Sequence, residues 1–107
     1  MGETKHYLYR LRPTRFEMLV TGQTSEEAEC ISQHFKHLQH LTEQGIVILA
    51  GRTLTVDEDG MGIVIFQANS DEEAQAIMNN DPAVRHGVMC AKLFPYRVAL
   101  ISEANAQ

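Results

Sequence analysis

No run of apolar residues in this chain approaches the 18 or so that cross a bilayer, and the opening "MGETKHYLYRLRP" is polar and charged where a signal peptide carries an apolar core. A soluble, cytoplasmic protein that does not engage a membrane is expected. Basic residues are scarce. Nine Lys and Arg stand against 14 Asp and Glu, for a net charge of −5, whereas a phosphate-backbone binder needs clustered cations to release counterions. Nucleic acid is therefore excluded as a partner. Cysteine is limited to Cys30 and Cys90, far apart and in no CxxC pair, so neither a zinc ribbon nor a redox motif is offered and two free buried thiols are expected. There is no GxGxxG, no Walker loop and no haem-attachment signature, so no cofactor is expected.

What is present is an ordinary globular composition, 44% hydrophobic and 21% charged over 107 residues. That length fits one domain and buries roughly two-thirds of the unfolded surface. The domain is expected to span residues 1–107, with its core over about 5–100 and a polar tail at 102–107. "KHYLYRLRP" alternates Tyr7, Tyr9 and Leu11 and is stopped by Pro13, which predicts a strand followed by a loop to Thr24. "TSEEAECISQHFKHLQHLTEQG" has a Thr-Ser start, Glu26 and Glu27 in its first turn and Gly45 at its close, the marks of a helix of about 20 residues. "GIVILAGR" and "GMGIVIFQA" read as a hairpin turning near Asp59 and Gly60. "NSDEEAQAIMNNDP" predicts a shorter helix capped by Ser70 and ending before Pro82. "GVMCAKLFPYRVALI" supplies a last strand interrupted by Pro95.

The order βαββαβ predicts an α+β, ferredoxin-like fold: a four-stranded antiparallel sheet with two helices on one face. Ile46 to Leu49 and Ile63 to Phe66 are apolar at consecutive positions, so both faces of the middle strands call for burial. A second copy meeting sheet to sheet satisfies that, and a homodimer, or a higher symmetric assembly built on it, is expected.

"HFKHLQHL" places His34, His37 and His40 on the long helix. Taking Ala28, Ile31, Phe35, Leu38 and Thr42 as the stripe facing the sheet, His34 falls roughly 80° from its centre, while His37 and His40 fall roughly 140° and 160° away. Only His34 then borders the core, and the three do not converge as zinc ligands must, so no metal site is expected. A boundary imidazole either hydrogen-bonds a carbonyl or lines a pocket as a proton carrier. Cys30, one turn earlier, could pair with it as a nucleophile, but a mid-helix thiol lacks the helix N-terminal dipole that lowers its pKa. Asp81, directly before Pro82, reads locally as a turn former.

The helix carrying His34, "LQHLTEQGIVILAGR", "GMGIVIFQANSDEEAQAIMNNDPAV" and "FPYRVAL" together resemble the YciI-like (YCII-related) family over about residues 5–100. The resemblance implies a dimeric α/β barrel. It also implies an active-site dyad joining the histidine 17 positions before the glycine of the "AG" step to the aspartate of the "DP" step, here His34 and Asp81. Relatives in the wider superfamily are small isomerases, lyases and cofactor-free oxygenases acting on cyclic molecules. The expected function is accordingly proton transfer on a small cyclic or anionic ligand; a ligand-binding module without turnover is the alternative. Many relatives have proline after "AG" and an aromatic after "DP", where this chain has Arg52 and Ala83. Arg12, Arg15 and Arg52 are the candidate cations for an anionic substrate.

Overall fold

In the computed structural model, which describes residues 4–104, the elements run β1 (Lys5–Pro13), α1 (Glu17–Val20), α2 (Ser25–Glu43), β2 (Val47–Arg52), β3 (Gly62–Ala68), α3 (Asp71–Asn79), α4 (Pro82–Arg85) and β4 (Met89–Tyr96). The last three residues of the expected polar tail lie outside the described residues. The strands form one antiparallel sheet in the order β2-β3-β1-β4, which is the ferredoxin-like arrangement. Two short helices add to the expected pair. α1 interrupts the anticipated loop and α4 follows the "DP" step, each only four residues long and so too short to display a helical period.

Local chemistry fixes where the long helices begin. Thr24 Oγ1 accepts from the Glu27 amide while the Glu27 carboxylate accepts from the Thr24 amide, a reciprocal box that satisfies two otherwise unpaired donors. Ser70 caps α3 by accepting from the Glu73 amide. α2 stops where Gly45 turns left-handed and the Ile46 amide reaches back to the Leu41 carbonyl.

Tyr7, Tyr9 and Leu11 of β1, Val47 of β2, Val64, Phe66 and Ala68 of β3, Leu38 of α2 and Ala74 and Met78 of α3 make the core on one face of the sheet. Strand alternation puts Leu8, Arg10 and Arg12 on the other face, where Leu8 lies between Ile65 and Phe94. A register shift between Val47 and Leu49 bends β2 and moves Leu49 to that outer side, level with Ile65. Pro95 does not end the last strand: β4 is an edge, and an edge tolerates a missing N–H.

The face that α2 turns to the sheet is not the expected stripe of Ala28, Ile31, Phe35, Leu38 and Thr42. Phe35 is 66% exposed, Ala28 and Thr42 are also exposed, and the inward residues are Glu27, Cys30, Ile31, His34, His37, Leu38 and Leu41. These directions all fall within about 60° of His34 at 100° per residue, so His34 is the centre of the packed face. Hydrophobicity alone points the helix toward Phe35, because the packed face is largely polar. Neither cysteine is buried: Cys30 is intermediate and Cys90 exposed.

Candidate active site

The "DP" step builds the anionic half of the site. Proline restricts the residue before it to extended backbone, and Asp81 adopts φ −61° and ψ 124° as the N-cap of α4. Its Oδ1 accepts from the Ala83 amide at 3.0 Å, with Pro82 at the first helical position, where a missing N–H costs nothing. The helix is closed one turn later by left-handed Gly87, with the Val88 amide bonded to the Ala83 carbonyl. Four residues clamped at both ends hold the carboxylate at a fixed place and angle.

His34 reaches it from α2. Its Nδ1 lies 2.7 Å from Asp81 Oδ1 and 2.8 Å from Oδ2. Asp81 is fully buried and its carboxyl titrates below the ordinary value. Burial is the largest influence and pushes it up, but hydrogen bonds from His34 and Tyr9, the His34 charge and the Ala83 amide together outweigh burial. An ionised carboxylate only accepts, so Nδ1 carries the proton of the bond and Nε2 is the nitrogen left for chemistry. No hydrogen bond engages Nε2 among the described residues, and the side chain keeps 15% exposure.

Tyr9, which strand alternation marks only as core, belongs to the same cluster. Its hydroxyl donates to Asp81 Oδ2 at 2.7 Å across 72 residues of sequence. Burial first, then the Asp81 charge, drive its pKa far above the usual phenol value, so it remains a donor. No sequence signal marks it, because an inward tyrosine on a core strand looks the same whether or not its hydroxyl has a partner.

His37 also departs from expectation. It is half-buried on the inward face of α2, and its Nε2 is enclosed with no hydrogen-bond partner. Burial, the largest influence, lowers its pKa; the Asp81 charge opposes this, while His34, Arg85 and His40 reinforce it. Among the described residues no three His, Cys, Asp or Glu side chains gather where a metal ion could be held.

The three arginines are dispersed. Arg15 is committed to Glu27, with Nε 2.9 Å from Oε2 and a terminal nitrogen 2.6 Å from Oε1, and it also donates to the Gly22 carbonyl. Arg12 pairs with Cys90 on the outer face of the sheet, away from the dyad. Arg52 is exposed at the end of β2 beside Gly62. A groove of about 740 Å³ runs beside the N-terminal half of α2; Arg15, Glu27, Cys30, Gln33 and His86 line it, and His34 and Asp81 do not.

A model of the YCII-related domain matches residues 12–93. The chain belongs to the YCII-related family. Among solved structures, 5-chloro-2-hydroxyhydroquinone dehydrochlorinase (TftG) from Burkholderia phenoliruptrix AC1100, in complex with 2,5-dihydroxybenzoquinone, superposes with a TM-score of 0.61. It is 19% identical over 85% of this chain and 93% of its own. The uncharacterized protein TM1266 from Thermotoga maritima superposes with a TM-score of 0.56, at 12% identity over 89% of this chain and all of that one. At these identities the likeness establishes the fold. No curated protein matches the chain in sequence. The family fold is thus an α+β sheet with helices packed on one face, and no helix among the described residues is long and apolar enough to cross a membrane.

Proposed function

We propose that this YCII-related protein is a small acid-base enzyme of lyase or isomerase type, acting on a small cyclic, hydroxylated or anionic organic molecule through His34 and Asp81. The observation that carries the proposal is the buried carboxylate, its oxygens saturated by donors, fixed to His34 Nδ1 at 2.7 Å while Nε2 stays free. Nε2 accepts a proton from substrate carbon or oxygen, and Asp81 supports the imidazolium that forms. The released electron pair becomes a double bond, and a leaving group departs with its own pair in a lyase; in an isomerase the imidazolium returns the proton to another carbon. No covalent nucleophile enters either route. The family fold is also that of a dehydrochlorinase of a chlorinated hydroxyhydroquinone, which makes halogenated quinols the first substrates to try. Of the three arginines, Arg52 is the one free to meet an anionic group; Arg15 is held by Glu27 and Arg12 faces outward.

The working unit is proposed to be a homodimer formed through the outer face of the sheet, since Leu8, Ile65 and Phe94 form an apolar centre there, with Leu49 half-exposed beside them. A ligand-binding module without turnover is the second reading, favoured by a groove beside α2 that the dyad does not line.

The deciding experiment incubates the protein with 5-chloro-2-hydroxyhydroquinone and related quinols without oxygen and follows chloride release. His34→Ala is expected to fold and to lose about 100-fold to 10,000-fold in rate, the usual contribution of a general acid-base group. A His34→Ala protein that releases chloride as fast as the parent overturns the His34–Asp81 mechanism. Equal quinol binding by both proteins, with no turnover by either, establishes the binding module instead.

A further inference from the structure

We propose that Tyr9 is a positioning residue of this site: by donating its hydroxyl to Asp81 Oδ2 it keeps the carboxylate square to the imidazole, so that His34 Nε2 is aimed and is the one proton-accepting atom offered. The inference rests on the acid-base reading above for its effect on rate, but not for its effect on Asp81.

The geometry at Asp81 is nearly symmetric. Nδ1 of His34 sits at 2.7 and 2.8 Å from the two oxygens, and each oxygen has one further donor, the Ala83 amide on Oδ1 and the Tyr9 hydroxyl on Oδ2. The carboxylate is 0% exposed, so solvent does not replace a donor that is removed. Without the Tyr9 hydroxyl, Oδ2 retains only its share of the histidine bond and becomes the more basic oxygen. The N–H is then drawn to that side, and because only its backbone is held by α2, the ring follows. A misplacement of about 1 Å at a reacting atom can cost on the order of 100-fold. A more basic carboxylate also competes with the imidazole for the proton on Nδ1, which weakens His34 as the sole proton carrier.

The phenol is itself well held. β1 lies between β3 and β4, Tyr9 stands level with Val64 and Leu93, and its ring meets Phe66 edge-on with centroids 5.6 Å apart. The same strand offers a matched control. Tyr7 donates to Asp71 Oδ1 at 2.7 Å, a tyrosine-aspartate bond of equal length that does not touch the dyad.

The test is a ¹³C NMR titration of the Asp81 carboxyl carbon in the parent, Tyr9→Phe and Tyr7→Phe proteins, with steady-state kinetics on 5-chloro-2-hydroxyhydroquinone alongside. Tyr9→Phe is expected to move the Asp81 midpoint upward and to lower kcat by about 10-fold to 100-fold with KM within about twofold, below the full effect of removing a general base. Tyr7→Phe is expected to leave both unchanged. An Asp81 midpoint that stays at its parental value in Tyr9→Phe, or that moves equally in Tyr7→Phe, overturns the proposal. Should Tyr9→Phe not fold, 3-fluorotyrosine at position 9 retains a more acidic hydroxyl, and the midpoint must then fall; a fixed midpoint rejects the role. The titration needs no turnover, so failure of the enzyme reading shows as absent chloride release with the Asp81 shift intact.

Discussion

Replacing Asp81 by alanine removes an acceptor that serves three donors in a site closed to water. The Ala83 amide loses its cap, which costs about 1 kcal/mol. The Tyr9 hydroxyl and the His34 Nδ1–H are each left without their carboxylate, at about 1–3 kcal/mol apiece for a buried unmade bond. Part of this is recovered if His34 changes tautomer and takes the Tyr9 proton on Nδ1, so a loss of about 4 kcal/mol is expected, a large share of the roughly 5–15 kcal/mol that holds a domain together. Asparagine is milder, at about 1 kcal/mol: its oxygen can serve Ala83 and His34 while its NH₂ donates to the Tyr9 oxygen, a loss on the scale of one neutral hydrogen bond. In urea, with a slope of about 1–3 kcal/mol per molar, the alanine midpoint should fall by about 2 M, read by far-UV circular dichroism. The acid dependence has a definite sign. The Asp81 pKa is depressed in the folded chain, so its contribution is complete above the unfolded value of about 3.9 and is lost as pH falls through the folded value. Glu27, held at about 2 chiefly by its Arg15 hydrogen bonds, loses its own contribution over the same acid range in parent and variants alike and cancels in the difference. The gap between parent and Asp81→Asn should therefore narrow below about pH 3.9. A loss under about 1 kcal/mol for Asp81→Ala, or a gap constant from pH 6 to 2, refutes the reasoning.

Two further outcomes are expected. Light scattering should give the parent twice the 12.0 kDa chain mass and Ile65→Glu, a charge placed at the centre of the outer sheet face, a single chain mass; identical masses for the two proteins reject that face as the interface. Gly60→Ala would put a Cβ 2.5 Å from the Thr55 carbonyl oxygen, so calorimetry should show a loss of about 1–3 kcal/mol with the dyad untouched, and an unchanged melting temperature means that the turn adjusts freely.

The parts legible in sequence are those decided within four residues of chain. Thr24 with Glu27, Ser70 with Glu73, and Gly45 after Thr42 are local bargains between side chain and backbone, and they announce α2 and α3 without reference to the rest of the molecule. The fold class follows from the order of the elements, βαββαβ, once alternation and turn residues have marked the strands. The face of α2 was not legible, because its inward side carries Glu27, Cys30, His34 and His37 while Phe35 points outward; hydrophobic periodicity finds a packed face only where that face is apolar. His34 and Asp81 could be paired on the resemblance to relatives, since 47 residues separate them and neither local pattern mentions the other. Tyr9 was hidden for the same reason, and the commitment of Arg15 to Glu27 becomes visible only when the segment after β1 folds back on the start of α2.

Tyr7 and Tyr9 run from one central strand through the core to Asp71 and Asp81, the first residue of α3 and the cap of α4. Because neighbours on a strand face opposite sides, sliding β1 by one residue against β3 would carry both hydroxyls to the outer face at once. Strand register and active-site assembly are thus a single event: no population should exist in which the sheet has formed and Asp81 still waits for its donors. In native-state hydrogen exchange the amides of β1 and the Ala83 amide under Asp81 should open together, with the free energy of the whole domain, and not as a local fluctuation of a four-residue helix.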